Sequence, residues 1–466
     1  MISVRRRGAA RLAAAVLASG LVAAGAIVTA GTAAADDAPP SRGGATATLG
    51  GLKTFDKAII HDNGKDQQVG AGLFEMSVDN GGSIQTYCID LHNPTQSKAK
   101  YEEKSWAETS LANNPNAGKI NWVLQNSYPQ VNDLGALAKT AGIDGALTEK
   151  TAAAGTQVAI WRFSDNAKVD AADPQAEKLA DYLEKSAQNL QEPKASLSLD
   201  PPAVSGKAGE RLGPVKVHTN ADSVTLAPGT ESAGGGVKLV DKSGKTITSA
   251  ADGGEVYFDV PEGAADGSAT LTAQAATKVP VGRAFASATK SQTQILAGSS
   301  ESTVSATATA NWAKKGAVPA VSAEKDCAKG GVDITATNKG DEAFTFELLG
   351  QKYTVEAGQS KTVTAPVKED QSYKFTISGP NGFEKTFSGV LDCKTSSSGG
   401  SSDTPSSQPS PASAGGSTGG DTSGGDLAET GSSSNTPMIA GIAVALVVVG
   451  GGAIFFVRKK KATAGE

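Results

Sequence analysis

The sequence predicts a multidomain chain: an α+β unit, two all-β units of immunoglobulin-like sandwich type, a flexible linker and a C-terminal transmembrane helix. Three observations predict it. Strand and helix periodicities are mixed through residues 46–194, only the two-residue strand period persists through 195–312 and 319–395, and a Ser/Gly/Thr/Pro/Asp tract at 396–426 precedes a long apolar run. A length of 466 residues leaves room for several cores of ordinary size.

In the first unit, Phe74, Met76 and Val78 alternate with Glu75 and Ser77. A turn cluster follows at Asp79-Asn80-Gly81-Gly82, then a second strand from Ile84 to Leu91. This is a β-hairpin with Cys88 on its second strand. Alternation places Thr86, Cys88 and Asp90 on one face and Tyr87, Ile89 and Leu91 on the other. Trp106, Trp122-Val123-Leu124 and Tyr128-Pro129 supply bulk for a core. Residues 147–162 then read as a helix capped by Thr148, with an alanine-rich body in which Gly155 costs about 1 kcal/mol relative to alanine. Ala153, Gln157, Ile160 and Trp161 share one face of it. A second helix starts with Asp173 as N-cap and Pro174 at its first position and runs to about Leu190, and Glu192-Pro193 closes the unit.

The next stretch is β only. Val215 with Val217, Val237 with Leu239, Val256 with Phe258 and Val260, and Leu271 with Ala273 mark half-buried strands, and Ser243-Gly244 marks a hairpin tip. Without a nucleophile, base or cofactor signature, this unit reads as a spacer, a sandwich whose strand order the sequence does not fix. The third unit repeats the habit in Val332 with Ile334, Phe344 with Phe346, Tyr353 with Val355, and Tyr373 with Phe375 and Ile377.

Charge is nearly balanced, 43 Lys+Arg against 48 Asp+Glu, and no basic stripe runs through the folded part, which removes nucleic acid as a partner. The three histidines, His61, His92 and His218, are scattered, so neither a metal site nor a cofactor is expected. His92, near Cys88, reads as a solvated loop residue. Arg5-Arg6-Arg7 and Arg11, an apolar core at 12–30 and Ala33-Ala34-Ala35 before Asp36 form a secretory signal peptide over residues 1–35. Export permits disulfides, and three cysteines leave one over. Cys327 and Cys393, in matching Asp-Cys contexts at the two ends of one β segment, are the natural pair. Cys88 is then either a small buried structural residue or a thiol protected by chemistry of its own.

The stretches Gln85-Thr86-Tyr87-Cys88-Ile89-Asp90-Leu91 and Thr156-Gln157-Val158-Ala159-Ile160-Trp161 together resemble the paired motifs of the thioester domain of Gram-positive surface proteins. Asn121 to Pro129 is similar to a further recurring part of that family. The resemblance implies an internal thioester between Cys88 and Gln157, with Tyr87, Asp90 and Trp161 around it. A lone buried glutamine is more often an amide satisfied by backbone; the joint occurrence of both motifs carries the stronger reading. Asp90 is a candidate acceptor of the thiol proton and equally a structural carboxylate, while Tyr87 and Trp161 wall the site. The implied chemistry is covalent capture of an amine-bearing partner, for example through a lysine, by an adhesin. It is single-use and therefore not an enzyme's turnover. The alternative is a structural cell-surface protein in which the thioester is only an internal crosslink.

Leu427-Ala428-Glu429-Thr430-Gly431, the apolar run Pro437 to Val457 and the basic tail Arg458-Lys459-Lys460-Lys461 resemble a sortase sorting signal of the Leu-Ala-x-Thr-Gly class found in actinobacteria. A run of that length spans a bilayer, which takes about 20 residues, and the tail keeps the C-terminus inside. The resemblance implies cleavage between Thr430 and Gly431 and attachment to peptidoglycan, with 396–426 threading the cell wall after transient membrane retention.

Overall fold

The structure, a computed structural model, describes residues 43–62, 64–229 and 236–395. The expected signal peptide, linker, sorting pentapeptide and membrane run lie outside the described residues. No helix among the described residues is long and apolar enough to cross a membrane.

The first unit is built on an antiparallel sheet in the order Lys65–Val78, Ser83–Cys88, Gln294–Ser299, Ala284–Ser287, Lys100–Lys104, Thr46–Asp62 and Val169–Ala171. Thr46–Asp62 also pairs with Lys65–Val78, so all of these strands except the last close into a ring. The hairpin read from the sequence is present in register, with Phe74 opposite Thr86 and Met76 opposite Ile84. Two strands of this ring, Ala284–Ser287 and Gln294–Ser299, come from the stretch assigned to the second unit. The boundary expected at 194/195 therefore does not separate two sheets. Alternation marks a strand but not its partner, and Gln294–Ser299 is buried on both faces at all but its last residue, so it carries no alternation to read.

Four helices complete this unit: α1 (Ala117–Gln125), α2 (Leu134–Thr140), α3 (Glu149–Ser164) and α4 (Pro174–Ser186). The caps are those the sequence predicts. Thr148 accepts the backbone N–H of Thr151, and Asp173 accepts those of Gln175 and Ala176. The single apolar stripe expected on α3 is an underestimate. Every residue of α3 but Glu149, Lys150 and Arg162 is buried, because small side chains let neighbours approach from all sides. Gly155 is one such position: a Cβ there would lie 2.4 Å from the carbonyl oxygen of Ala176 on α4. At the exposed end, Arg162 ties α3 to α4 through Glu177, Asp181 and Glu184.

The second unit has two sheets over one buried core. One runs Lys238–Val240, Glu255–Asp259, Arg211–Thr219, Leu197–Asp200; the other runs Ser249–Ala250, Val224–Pro228, Gly267–Lys278, Glu301–Ala313, Ala203–Lys207, with its last pair parallel. The alternating residues singled out in the sequence, from Val215 to Ala273, face inward.

Buried Glu103 joins this unit to the first through Ser196, and it is paired with Arg283 at the start of the neighbouring strand of its own sheet. Arg283 Nε donates to Glu103 Oε1 at 2.8 Å, and Glu103 also receives the Ser196 N–H at 2.9 Å, the Ala45 N–H at 3.2 Å and the Ser196 hydroxyl. Glu192 takes the other side of Arg283.

The third unit consists of the sheet Pro319–Asp326, Gly331–Asn338, Ser360–Pro366 and the hairpins Phe344–Leu348/Gln351–Val355 and Ser372–Ser378/Glu384–Val390. Cys327 and Cys393 form the expected disulfide across a sequence separation of 66, a loop whose closure is worth about 4 kcal/mol in the chain-entropy account. The bridge lies against the first unit, where the Cys327 N–H donates to Ala107 O at 3.1 Å and Asn113 Nδ2 donates to Cys327 O at 3.1 Å.

Candidate functional site

Ser83–Cys88 brings the cysteine to the inner end of its strand, and α3 carries Gln157 at mid-length against it. Both residues are fully buried. They meet through two reciprocal hydrogen bonds: the Cys88 N–H donates to Gln157 Oε1 at 2.9 Å, and Gln157 Nε2 donates to Cys88 O at 2.8 Å. The glutamine amide is thus docked on the backbone of the cysteine itself. A backbone N–H aimed at the amide oxygen is where an oxyanion would need a donor if sulfur added to that amide carbon.

Cys88 is a free, buried thiol. Burial first, then the charges of Asp165 and Asp90, push its pKa well above the ordinary value, while the Trp161 indole and the Asp90 N–H act the other way. The Asp90 N–H reaches Sγ at 3.2 Å. The resting group is therefore a thiol, and thiolate chemistry requires a base.

Asp90 does not continue the strand as the alternation predicts. The strand ends at Cys88, the chain turns, and Asp90 meets the sulfur through its N–H. Its carboxyl is buried and raised well above the carboxylate range by desolvation, then by Asp392 and Asp165, with the Asn93 hydrogen bond opposing. Oδ2 accepts from Asn93 Nδ2, while Oδ1 has no partner. A carboxyl so raised holds its proton to higher pH than a solvated one, and binds a proton more tightly once ionised.

Tyr87 is fully buried and its hydroxyl donates to Tyr128 O at 2.7 Å, which pins the loop after α1. Trp161 is buried too, and its Nε1 has no full hydrogen-bond partner among the described residues. Its influence on Cys88 favours the thiolate without a well-formed bond. Asp165 accepts the Leu91 N–H at 2.9 Å, and burial lifts its pKa to about 6. His92 is half-buried beside Asp165.

Part of the site escapes sequence reasoning. Gln294 lies opposite Cys88 in the ladder. Its Oε1 accepts from the Thr86 hydroxyl at 3.0 Å, and Gln292 Nε2 donates to Asp90 O at 2.9 Å. Thr293 O accepts the Ile89 N–H at 3.1 Å, and the Tyr101 hydroxyl donates to Gln292 O at 2.8 Å. The only local signal is the uncharged polar run Ser291-Gln292-Thr293-Gln294 directly before Ile295-Leu296.

Residues 85–189 match the family model described as the thioester domain, and residues 319–390 match that of the bacterial phospholipase C C-terminal domain. No curated protein is similar to the chain. Among solved structures, the chain is similar to the TIE protein of Bacillus anthracis, with 15% identity and a TM-score of 0.27, covering 76% of this chain and 81% of that one. For the thioester domain of the Enterococcus faecium TIE86 protein, identity is 17% and the TM-score 0.26, covering 59% and 98%. The N-terminal thioester domain of a surface protein from Clostridium perfringens is 21% identical with a TM-score of 0.20, covering 31% and 87%. Both motifs of the pair lie inside the matched segment, so the chain carries a thioester domain over residues 85–189.

Proposed function

We propose that Cys88 and Gln157 condense to an internal thioester and that the protein is a secreted, wall-anchored adhesin using this bond to capture an amine-bearing target. The observation that carries the reading is the docking of the Gln157 amide on the Cys88 backbone, with both residues fully buried, inside the segment that matches the thioester domain. In the forming step the Cys88 sulfur adds to the Gln157 amide carbon, the C–N bond breaks and ammonia leaves. Proximity supplies most of the driving advantage, and exclusion of water protects the product. In the capture step an amine takes the acyl group, an amide forms and the Cys88 thiol returns. One molecule reacts once, so the protein is not an enzyme.

The signal peptide delivers the chain outside the cell. Sortase cleaves at Leu427-Ala428-Glu429-Thr430-Gly431 and joins Thr430 to peptidoglycan, leaving the second and third units and the 396–426 linker as the stalk.

Intact-protein mass spectrometry tests the bond. The wild-type chain is expected to be lighter by one ammonia, and methylamine to replace that deficit with its own mass. A full mass, equal to that expected from composition as in Cys88→Ala, refutes the reading. Complete burial of both residues favours a second reading, an internal crosslink that stiffens the unit; an intact deficit that no amine discharges selects it.

A further inference from the structure

The chain turns directly after Cys88, and residues remote in sequence hold the turn from both sides. In the first peptide unit after the cysteine, the Ile89 N–H donates to Thr293 O at 3.1 Å. In the third, Gln292 Nε2 donates to Asp90 O at 2.9 Å, and the Leu91 N–H donates to Asp165 Oδ1 at 2.9 Å. The second unit, between Ile89 and Asp90, thus has a fixed neighbour on each side, and its N–H reaches Cys88 Sγ at 3.2 Å. A planar peptide between two fixed ones has little freedom to swing, so Gln292, Thr293 and Asp165 set the direction of this N–H.

Both side-chain anchors are held in turn. Gln292 is fully buried, and its Oε1 accepts from Gln294 Nε2 at 3.3 Å. Asp165 follows the last residue of α3; its own N–H donates to Trp161 O at 3.1 Å and its Oδ2 accepts the Ser164 hydroxyl. One end of the turn is therefore tied to the helix that carries Gln157. A neutral sulfur accepts a hydrogen bond weakly and a thiolate strongly, so the Asp90 N–H counts for more as charge collects on sulfur. Burial, ahead of the charges of Asp165 and Asp90, holds the Cys88 thiol well above its ordinary pKa, which makes charge on this sulfur costly without a donor to meet it.

Building on the thioester reading, we infer that Gln292 and Asp165 are positioning residues for opening of the bond: they aim the Asp90 N–H at the Cys88 sulfur as it departs. In that step an amine or water adds to the Gln157 acyl carbon, the C–S bond breaks, and sulfur leaves with the electron pair, met by the Asp90 N–H. The nucleophile loses one proton, which ends on sulfur as the thiol. The Cys88 N–H, on Gln157 Oε1 at 2.9 Å, meets the acyl oxygen. One turn of chain thereby supplies a donor to each atom that takes up charge.

The sign of a rate change separates aiming from sealing. Discharge is followed by intact mass on the full chain carrying the ammonia deficit, with methylamine and, in its absence, with water. Gln292→Met removes the donor to Asp90 O at nearly constant volume and charge. It is expected to slow both reactions about tenfold, less than the roughly 10²–10³-fold loss on deleting a donor outright, because the N–H is misaimed and not removed. A side chain that only seals the site would, once replaced, admit water and amine and speed both reactions. Asp165→Asn and Asp165→Ala lack the same charge and differ in the acceptor for the Leu91 N–H. The alanine variant is expected to discharge about fivefold more slowly than the asparagine one, and this pair carries the test if the methionine variant forms no thioester. Unchanged or faster discharge in Gln292→Met, or an alanine variant as fast as the asparagine one, refutes the assignment and leaves the thioester standing. A wild-type chain without the ammonia deficit refutes the thioester itself, and the assignment with it.

Discussion

Replacing Arg283 by methionine tests the buried pair that braces the strands Lys100–Lys104 and Ala284–Ser287. Arg283 and Glu103 are 6% and 4% exposed, and removing one member of a buried pair typically costs about 3–5 kcal/mol because the other charge is left uncompensated. Here Glu103 keeps the Ser196 N–H, the Ser196 hydroxyl and the Ala45 N–H, which places the loss at the lower end, about 3 kcal/mol. At roughly 2 °C per kcal/mol for a unit of this size, the melting temperature falls by about 6 °C. The double variant Glu103→Gln/Arg283→Met should lose less than the two single losses added together, because no unpaired charge remains. Urea unfolding followed by circular dichroism gives the free energies. The same samples read by intact mass should show a smaller fraction with the ammonia deficit, since Arg283 precedes the strand Ala284–Ser287, which pairs with the strand that carries Gln294. An Arg283→Met variant within about 0.5 kcal/mol of wild type, the range of ordinary surface changes, or a double variant losing the full sum, refutes the clamp.

Gly155→Ala should destabilise, although alanine is the better helix former by about 1 kcal/mol. Its Cβ would stand 2.4 Å from Ala176 O and 3.1 Å from Leu179 Cβ, and overpacking of that kind costs roughly 1–3 kcal/mol. A raised urea midpoint would show that α3 and α4 can part at no cost. Asp165 makes the sign of a pH effect testable. Its folded-state pKa, lifted to about 6 by burial against an ordinary 3.8, means that the folded chain holds the proton over a range where the unfolded chain has lost it. Its contribution to stability therefore declines as pH rises from about 4 to about 6. Asp165→Asn should flatten that decline in urea midpoints measured across the window, and an unchanged slope refutes the assignment.

What was legible in the sequence is what local chemistry encodes. Thr148 and Asp173 announce their helices because a side-chain oxygen two or three residues ahead of a free N–H is a local arrangement. Cys88 and Gln157 were legible as motifs, and Cys327 with Cys393 as matching ends of one β segment. The remainder of the site was not, because its partners are remote. Thr86 and Gln294 are 208 residues apart, and Gln292 and the carbonyl of Asp90 are 202 apart. Nothing in a glutamine's immediate surroundings reveals which distant backbone it will satisfy. The turn after Cys88 was invisible for a related reason: Ile89 and Leu91 continue the apolar alternation, yet the Asp90 N–H leaves the ladder for the Cys88 sulfur.

That remoteness bears on reactivity. An electrophile that must survive in water needs walls that open only on cue, and the walls here come from separate parts of the chain. The glutamine helix belongs to the first unit, the Gln292–Gln294 segment enters from within the second, and the third unit holds Lys290, two residues before that segment. Gln292 holds the Asp90 carbonyl, and Lys290, two residues away, is held by Asp370 of the third unit. On the proposed reading, the stretch that supplies Gln292 and Gln294 is therefore part of the reactive device as well as of its support.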